Sequence, residues 1–197
     1  MMARGASPSR EPGSAGRLAV LSGPSGVGKS AVAQRLLKDP KFRRAITATT
    51  RSPRKGERDG VDYFFLAREE FERRLRAGWF LEHADVYGNL YGTPKSSVEA
   101  VLRAGAHCLL VIDVQGAATL RGAGVEGLYV LLSAPSPVDL ERRLRGRGLD
   151  SAEEIAKRLS AADAELAQAS RFDRVIVNER IEDTAREVAS LLGVSLG

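Results

Sequence analysis

Residues 18–30 read LAVLSGPSGVGKS. The apolar run 18–21 predicts a short buried strand. Residues 23–30 match the pattern G-x-x-x-x-G-K-S/T at every fixed position. Glycines let the backbone approach phosphate oxygens closely, and the N–H groups at the start of the next helix supply positive potential. We therefore expect a phosphate-binding loop between a strand and a helix over 30–38.

Each residue of this loop is a candidate contact to the phosphates of ATP or GTP. The Lys29 ammonium should reach the β- and γ-phosphates, and the Ser30 hydroxyl should ligate Mg²⁺. Motors, GTPases and many kinases share the pattern, so it does not identify the phosphoryl acceptor. A Gly-rich turn that binds nothing is the alternative, although such a turn does not need the Lys-Ser ending. The predicted ATP contacts in the loop are Gly23, Pro24, Ser25, Gly26, Val27, Gly28, Lys29 and Ser30.

Apolar strands alternate with amphipathic helices along most of the chain. The runs 107–113, 128–132 and 174–177 are nearly all apolar, which is typical of strands buried on both faces. Helical spacing of apolar residues predicts helices over 96–103, 138–145, 152–169 and 184–192. This alternation predicts an α/β fold with a central parallel sheet flanked by helices.

The block 46–93 breaks the alternation. It predicts strands at 46–50 and 63–66, a helix at 68–77, and a pair of short strands around Gly88 and Asn89. We expect a small mixed lobe here, inserted into a core made of residues 17–45 and 94–197. Residues 1–16 are rich in Gly, Ser, Pro, Ala and Arg, which predicts a disordered tail.

Composition limits the class of protein. The chain has 197 residues, of which 43% are apolar and 28% charged, as in soluble globular domains. A single cysteine rules out an internal disulfide. No apolar run approaches the roughly 20 residues that span a bilayer, and the N-terminus lacks the apolar core of a signal peptide, so we expect a cytoplasmic protein. The sequence does not specify an oligomeric state.

The net charge of +5 favours acidic partners. On charge alone, nucleic acid, anionic membrane and small phosphate esters all stay open. The chain contains no nucleic-acid recognition motif, and aromatic residues do not interleave with the basic ones. We therefore expect small phosphate esters, with neither nucleic acid nor membrane as a partner.

A basic loop follows the second predicted strand, within residues 47–57, TATTRSPRKGE. Arg51 and Arg54 flank Pro53, which stiffens the loop. Two guanidinium groups on a constrained loop form a good clamp for a dianionic phosphate. Composition alone equally allows a solvated basic loop with no ligand.

The run TTRSPRKGE at 49–57, followed by DGVDYFF at 59–65, resembles the GMP-binding signature of guanylate kinases. The resemblance extends over about residues 17–192. It implies a P-loop nucleoside monophosphate kinase that uses ATP and Mg²⁺ to phosphorylate GMP and dGMP. The GMP contacts that it implies are Thr47, Arg51, Arg54, Tyr63, Glu82, Tyr91, Thr93 and Asp113.

These residue types suit the two ends of GMP. Arginines bring positive charge to the phosphate, and the phenols of Tyr63 and Tyr91 bring neutral hydrogen-bond donors. The resemblance assigns Glu82 to the guanine base, where a carboxylate can accept both the N1–H and the 2-amino group. Adenine offers no such pair of donors on that edge, so Glu82 is the predicted base-selecting residue. Taken alone, the tyrosines would be interpreted as packing residues and Glu82 as a solvated side chain.

Asp113 follows the apolar run 109–112 and therefore lies at the carboxyl end of a central strand, where open α/β sheets bind ligands. A carboxylate at this position in P-loop proteins orients Mg²⁺ or its water. We expect Asp113 and Ser30 to serve the metal, with Asp113 acting through water. A polar strand terminus without a ligand is the alternative.

A cluster of arginines follows the predicted core strand at 128–132. Arg143 and Arg147 are spaced i,i+4 on a predicted helix, where like charges repel, and Arg142 and Arg145 add to the crowding. An anionic ligand would relieve this repulsion. The resemblance implies a mobile lid over ATP at about 143–160, whose arginines contact the triphosphate, and places Asn178 near the adenine. The predicted catalytic residues are Lys29, Arg51, Arg143, Arg147 and Arg158.

Two positions depart from the common family pattern. Val111 stands where an acid is usual, which bears on base discrimination, and Leu149 stands where a threonine is usual, which bears on lid motion. Two alternatives remain at this point. One is a related kinase with another phosphorylated acceptor, such as a ribose phosphate, against which Glu82 and the paired tyrosines argue. The other is a non-catalytic guanylate-kinase-like binding module, against which the retained phosphate loop and arginines argue.

Overall fold

The computed structural model describes residues 16–86, 88–146 and 151–197. The strands, in chain order, are β1 (Leu18–Ser22), β2 (Phe42–Arg44), β3 (Thr47–Thr49), β4 (Tyr63–Phe65), β5 (Phe80–Val86), β6 (Asn89–Pro94), β7 (His107–Val111), β8 (Leu128–Ser133) and β9 (Arg174–Val177). The helices are α1 (Lys29–Leu36), α2 (Arg68–Arg76), α3 (Lys95–Arg103), α4 (Val114–Gly122), α5 (Pro137–Arg145), α6 (Ala152–Leu166) and α7 (Ile181–Leu191), with a short 3₁₀ turn at Ala169–Arg171.

A five-stranded parallel sheet, in the order β2-β7-β1-β8-β9, forms the centre of the molecule. Side chains alternate between its two faces, so Leu21 packs in one hydrophobic core and Val20 in another. Helices α1 and α7 cover the first core, and α3 and α4 cover the second. The predicted α/β fold with a parallel sheet flanked by helices is confirmed.

The carboxyl ends of β1 and β7 lie side by side. Leu21 is paired with Val111, and the Ile112 N–H donates to the Leu21 carbonyl at 3.3 Å. The loop that follows β1 and the Asp113 side chain that follows β7 therefore leave the same edge of the sheet as neighbours. Ligands of open parallel sheets bind at this edge.

A separate four-stranded mixed sheet, in the order β4-β3-β6-β5, lies within residues 47–94. Strand β3 runs parallel to β4 and antiparallel to β6, and β5 pairs with β6 in a hairpin. This sheet and α2 have a small core of their own, in which the rings of Phe71 and Phe80 stack with centroids 4.4 Å apart. The mixed character predicted for this block is confirmed.

Two elements were not predicted from the sequence. Strand β2 has only one apolar residue, Phe42, followed by two exposed arginines, because it is an edge strand held by backbone bonds to β7. Helix α4 contains two glycines and a threonine, which lower its helix propensity. Asp113 caps this helix through a 2.6 Å bond from the Gly116 N–H to Oδ1, and Leu120 buries its inner face.

The arginines of α5 are less crowded than the sequence indicates. Arg142 pairs with Asp139, and Arg145 pairs with Glu141 at 2.7 Å, so acids of the same helix offset both charges. Arg142 and Arg145 therefore do not add uncompensated positive charge to the helix, and the prediction that they crowd it with like charge was wrong. Arg147 and Leu149 lie outside the described residues, as does all of the predicted tail except Gly16.

Two further findings concern the single cysteine and the search for a membrane-spanning helix. Cys108 is buried in β7 among apolar side chains, and burial raises the pKa of its thiol to about 12. Among residues 16–86, 88–146 and 151–197, no helix has the length and apolar character that crossing a membrane requires.

Candidate active site

The loop between β1 and α1 has the backbone conformation that its glycines predict. Gly23, Gly26 and Gly28 all have positive φ, with a value of 103° at Gly28. A Cβ on Gly28 would lie 2.4 Å from the Asn178 amide nitrogen, so only glycine fits there without displacing that side chain. The Lys29 ammonium lies across the loop and donates to the carbonyls of Gly23 and Pro24, the latter at 2.9 Å.

Asn178 braces this loop from the end of β9. Its Nδ2 donates to the Val27 carbonyl at 2.7 Å, and its Oδ1 accepts from the Thr184 hydroxyl at 2.9 Å. Its backbone N–H is also bonded, to the Ser133 carbonyl at 2.8 Å. With 2% exposure, the side chain in this conformation supports the loop from within. Its predicted place near the adenine stays a prediction.

Two of the predicted lid arginines reach the same loop. Arg143 on α5 donates to the carbonyls of Val27, at 3.3 Å, and Asn178, at 2.8 Å. Arg158 on α6 donates to the Ser25 hydroxyl at 2.7 Å. Residues that are far apart in sequence therefore bring two guanidinium groups to the phosphate loop. Arg147 is not among the described residues.

A pocket of about 250 Å³ lies between the mixed sheet and the end of β7. It contains the predicted base-reading residues and the two tyrosines, together with Val111 at the position where an acid is common in the family. Apolar Val111 leaves Glu82 and Asp113 as the two acids of this pocket. The lining residues are Arg44, Thr47, Tyr63, Glu82, Ala84, Tyr91, Gly92, Thr93, Val111, Ile112 and Asp113.

Glu82 lies opposite Thr93 in the β5–β6 hairpin and is only 8% exposed. The Thr93 hydroxyl donates to its Oε1 at 2.5 Å. Burial, and to a smaller extent the charge of Asp113, raise the pKa of this carboxyl, while the Thr93 bond opposes the rise. A buried carboxylate with lone pairs facing a pocket can accept two N–H donors from a planar base.

The basic loop brings Arg51 to Tyr63. The Arg51 guanidinium carbon lies 5.5 Å from the Tyr63 ring centroid, within cation–π range, and Tyr91 packs edge-on against Tyr63 at 6.3 Å. Arg51 also forms a two-pronged ion pair with Glu57. Its pKa is raised, most strongly by the bond to Glu57 and also by Tyr91. Arg54 is exposed on the same loop.

Ser30 and Asp113, the two residues predicted to serve a metal, fit a Mg²⁺ site whose other ligands are water and nucleotide phosphates. Ser30 is exposed in the first turn of α1, and Asp113 is exposed at the end of β7 with Oδ1 used by the cap of α4. Within the described residues, no group of three or more His, Cys, Asp and Glu side chains could hold a metal ion. One hydroxyl and one carboxylate suit Mg²⁺, which keeps several waters and binds nucleotide phosphates.

Sequence reasoning missed Glu165, which lines a second pocket together with Asp113. Burial raises the pKa of Glu165. The positive charge of Lys29 opposes this rise, and the negative charge of Asp113 adds to it, so Glu165 interacts electrostatically with both residues. An acid on a helix face carries no sequence signal. Arg44 was also missed, because β2 itself was not predicted; its guanidinium carbon lies 5.6 Å from the Tyr63 ring centroid.

Fold and site together define a nucleotide-binding protein of the P-loop kinase class. The family model for guanylate kinase matches residues 15–194. A guanylate kinase of Streptomyces coelicolor is 47% identical over 192 residues, covering 97% of each chain. Another, from Clostridium perfringens strain 13, is 42% identical over 178 residues, covering 90% of this chain and 82% of that protein.

Solved structures agree. A guanylate kinase from Anaplasma phagocytophilum superposes with a TM-score of 0.70 at 38% identity, covering 91% of this chain and 86% of that one. The SH3-kinase fragment of tight junction protein 3 gives a TM-score of 0.52 at 13% identity, over 93% of this chain and 58% of that one, which shows a shared fold alone. The chain belongs to the guanylate kinase family, and the predicted family and enzyme class are confirmed.

Proposed function

We propose that this protein transfers the γ-phosphoryl group of ATP to the phosphate of GMP, and of dGMP, at the edge of the central sheet where β1 and β7 end. One observation supports this most directly. The pocket that contains Glu82 reaches Asp113 at the end of β7, and the neighbouring strand β1 leads into the phosphate loop. The pocket of the proposed base reader therefore extends to the strand end beside the one that leads into the proposed triphosphate cradle.

The mixed lobe is the proposed GMP site. Glu82 accepts the guanine N1–H and 2-amino group, and Thr47, Thr93 and Asp113 line the same pocket. The phosphate is bound by Arg51, Arg54, Tyr63 and Tyr91. These proposed contacts are to the base and the phosphate, and none is to the ribose 2′-hydroxyl. We therefore include dGMP as a substrate.

The phosphate loop is the proposed ATP site. Its backbone N–H groups and Lys29 bind the phosphates, and Arg143, Arg147 and Arg158 neutralise the charge that develops in the transition state. The acceptor is an ionised phosphate oxygen, so no strong general base is required. Catalysis then comes from alignment of the two phosphates and from charge neutralisation.

Mg²⁺ is the proposed cofactor, with Ser30 and Asp113 as its protein partners. When bound, the ion would neutralise charge on the β- and γ-phosphates of ATP. We further propose a cytoplasmic location, small-molecule substrates with neither nucleic acid nor membrane as a partner, and a lid at about 143–160 that closes over ATP and excludes water.

An ADP-release assay with GMP, dGMP, AMP, CMP and UMP as acceptors tests the proposal. We expect rapid turnover with GMP and dGMP and little with the other three, because only guanine offers the paired donors that Glu82 accepts. Equal rates with all acceptors would overturn the assignment of the base pocket. Binding of GMP without ADP release would indicate the non-catalytic alternative, which no observation on this chain favours.

A further inference from the structure

Glu57 lies in the loop between β3 and β4, and its carboxylate meets the end of the Arg51 guanidinium. Oε2 accepts from Nη1 at 3.0 Å, and Oε1 accepts from Nη2 at 2.9 Å. The same Oε2 also accepts the Arg54 backbone N–H at 2.6 Å, and the Glu57 N–H donates to the Arg54 carbonyl at 3.0 Å. The carboxylate therefore ties the Arg51 side chain to the backbone of the basic loop.

The donors of Arg51 are then divided between two edges of its plane. A guanidinium has five N–H donors. Glu57 takes one from each Nη, and the Ser52 carbonyl takes the other Nη1 donor at 2.7 Å. The Nε–H and the second Nη2–H make none of these three bonds, and they lie along one side of the plane. That side has the geometry to bind two oxygens of one phosphate.

The pair differs from an ordinary surface ion pair. The side chains of Arg51 and Glu57 are only 16% and 21% exposed, and the rings of Tyr63 and Phe65 lie 5.5 and 5.9 Å from the Arg51 guanidinium carbon. The bond from Arg51, followed by that from the Arg54 N–H, lowers the pKa of Glu57, so the carboxylate is ionised at neutral pH. Both groups are therefore held in one geometry.

Charge alone does not explain this arrangement. A carboxylate next to the binding site of a dianion repels it and neutralises part of the arginine that should attract it. Orientation explains it, because an arginine fixed before binding loses less side-chain freedom when the phosphate arrives.

We propose that Glu57 is a positioning residue that holds Arg51 with its Nε–Nη2 side towards the phosphate of the nucleoside monophosphate. This inference rests on the proposed function, since it deepens the assignment of Arg51 to that phosphate. Its competitor is a purely structural role, in which Glu57 only stabilises the fold of the loop.

The test compares Glu57→Gln with the wild-type protein by calorimetric titration with GMP and by steady-state kinetics. We expect Kd and KM for GMP to rise about tenfold or more, because Arg51 loses the charge-assisted bonds to Glu57 that orient it. KM for ATP should be unchanged. Glu72→Gln is the matched control, because it breaks an exposed pair with Arg68 in the same lobe. It should change neither KM.

Glu57→Asp provides a second variant, which keeps the charge and retracts the carboxylate by one methylene. We expect a smaller rise in KM for GMP than in Glu57→Gln. Wild-type affinity for GMP in both variants would overturn the proposal. A melting temperature measured for each variant checks that the chain is folded.

A double-mutant cycle with Arg51→Ala separates the two roles of Glu57. Without Arg51, Glu57 is an unpaired anion beside the phosphate, so adding Glu57→Gln should leave GMP affinity unchanged or improve it. An equal loss of affinity in both backgrounds would indicate the structural role instead. Failure of the wild-type protein to bind GMP would overturn the proposed function itself. The titration of the wild-type protein alone would show this, without the double-mutant cycle.

Discussion

The Lys29 ammonium donates to the Gly23 and Pro24 carbonyls, which holds its charge against the backbone of the phosphate loop. We expect Lys29→Ala to lower kcat by several orders of magnitude, because a cation that contacts the transferred group stabilises the transition state. Affinity for GMP should be unchanged, because the proposed GMP pocket does not include this residue. Turnover assays and calorimetry measure both. Lys38→Ala, at an exposed lysine just after α1, is the control and should retain full activity.

The burial of Glu82 and its proposed role in base recognition favour opposite protonation states. Burial and the charge of Asp113 raise its pKa, so the folded protein binds a proton there at pH values where the unfolded chain has lost it. Stability from this group is therefore fully present below the unfolded pKa and is lost as the pH rises through the folded pKa. The proposed contact to guanine, in contrast, needs the ionised form of Glu82 as acceptor.

Glu82→Gln separates these two demands. We expect it to raise the melting temperature by a few degrees at neutral pH, and to change it little in acid, where the wild-type carboxyl is already neutral. GMP affinity at neutral pH should fall about tenfold or more. In the wild type, affinity should weaken as the pH falls through the Glu82 pKa. The variant keeps only the dependence due to the GMP phosphate, and an identical pH profile for both proteins would contradict the assignment.

At the scale of elements, sequence reasoning succeeded where local pattern and tertiary burial agree. The apolar runs of β1, β7 and β8 and the loop pattern before α1 fixed the strand–loop–helix unit and the parallel sheet. It failed for β2 and α4, whose formation depends on neighbours in space, namely the backbone of β7 and the Asp113 cap. For the same reason it could not find Glu165, which approaches Lys29 and Asp113 only because α6 packs beside them.

The brace between β9, α7 and the phosphate loop is testable in steps. Asn178→Ala removes the bond to the Val27 carbonyl and leaves the Thr184 hydroxyl without a partner, so we expect a loss of stability of about 1–3 kcal/mol. KM for ATP should rise while KM for GMP stays constant. Thr184→Val removes only the outer bond and should give a smaller effect of the same kind. Denaturant unfolding and kinetics measure both; equal changes in the two KM values would exclude a specific role at the ATP loop.

At the scale of the whole molecule, the two sheets have separate hydrophobic cores. Phe71 is completely buried in the small core of the mixed lobe, and Val188 is completely buried between α7 and the central sheet. A cavity made by substitution in either core destabilises the chain, but Phe71 lies in the lobe proposed to bind GMP, whereas Val188 lies in the same core as Val27 of the phosphate loop. The lobes should therefore respond independently in binding.

Phe71→Ala should cost about 3–5 kcal/mol of folding free energy and weaken GMP binding more than ATP binding. Val188→Ala is the matched control in the other core, and it should lower the melting temperature while leaving GMP affinity unchanged. Thermal unfolding and separate titrations with each nucleotide measure these effects. Equal loss of both affinities in Phe71→Ala would show that the two cores act as one.

Because the thiol of Cys108 is buried, we expect the natural chain to react very little with maleimide dyes. A cysteine introduced at an exposed position of α6, such as Ser160→Cys, and another on α2, such as Arg76→Cys, would each take up a fluorophore without removing any native residue that the proposed chemistry uses. Energy transfer between the two dyes would then report, molecule by molecule, how far the nucleotide-binding halves approach each other during a single turnover.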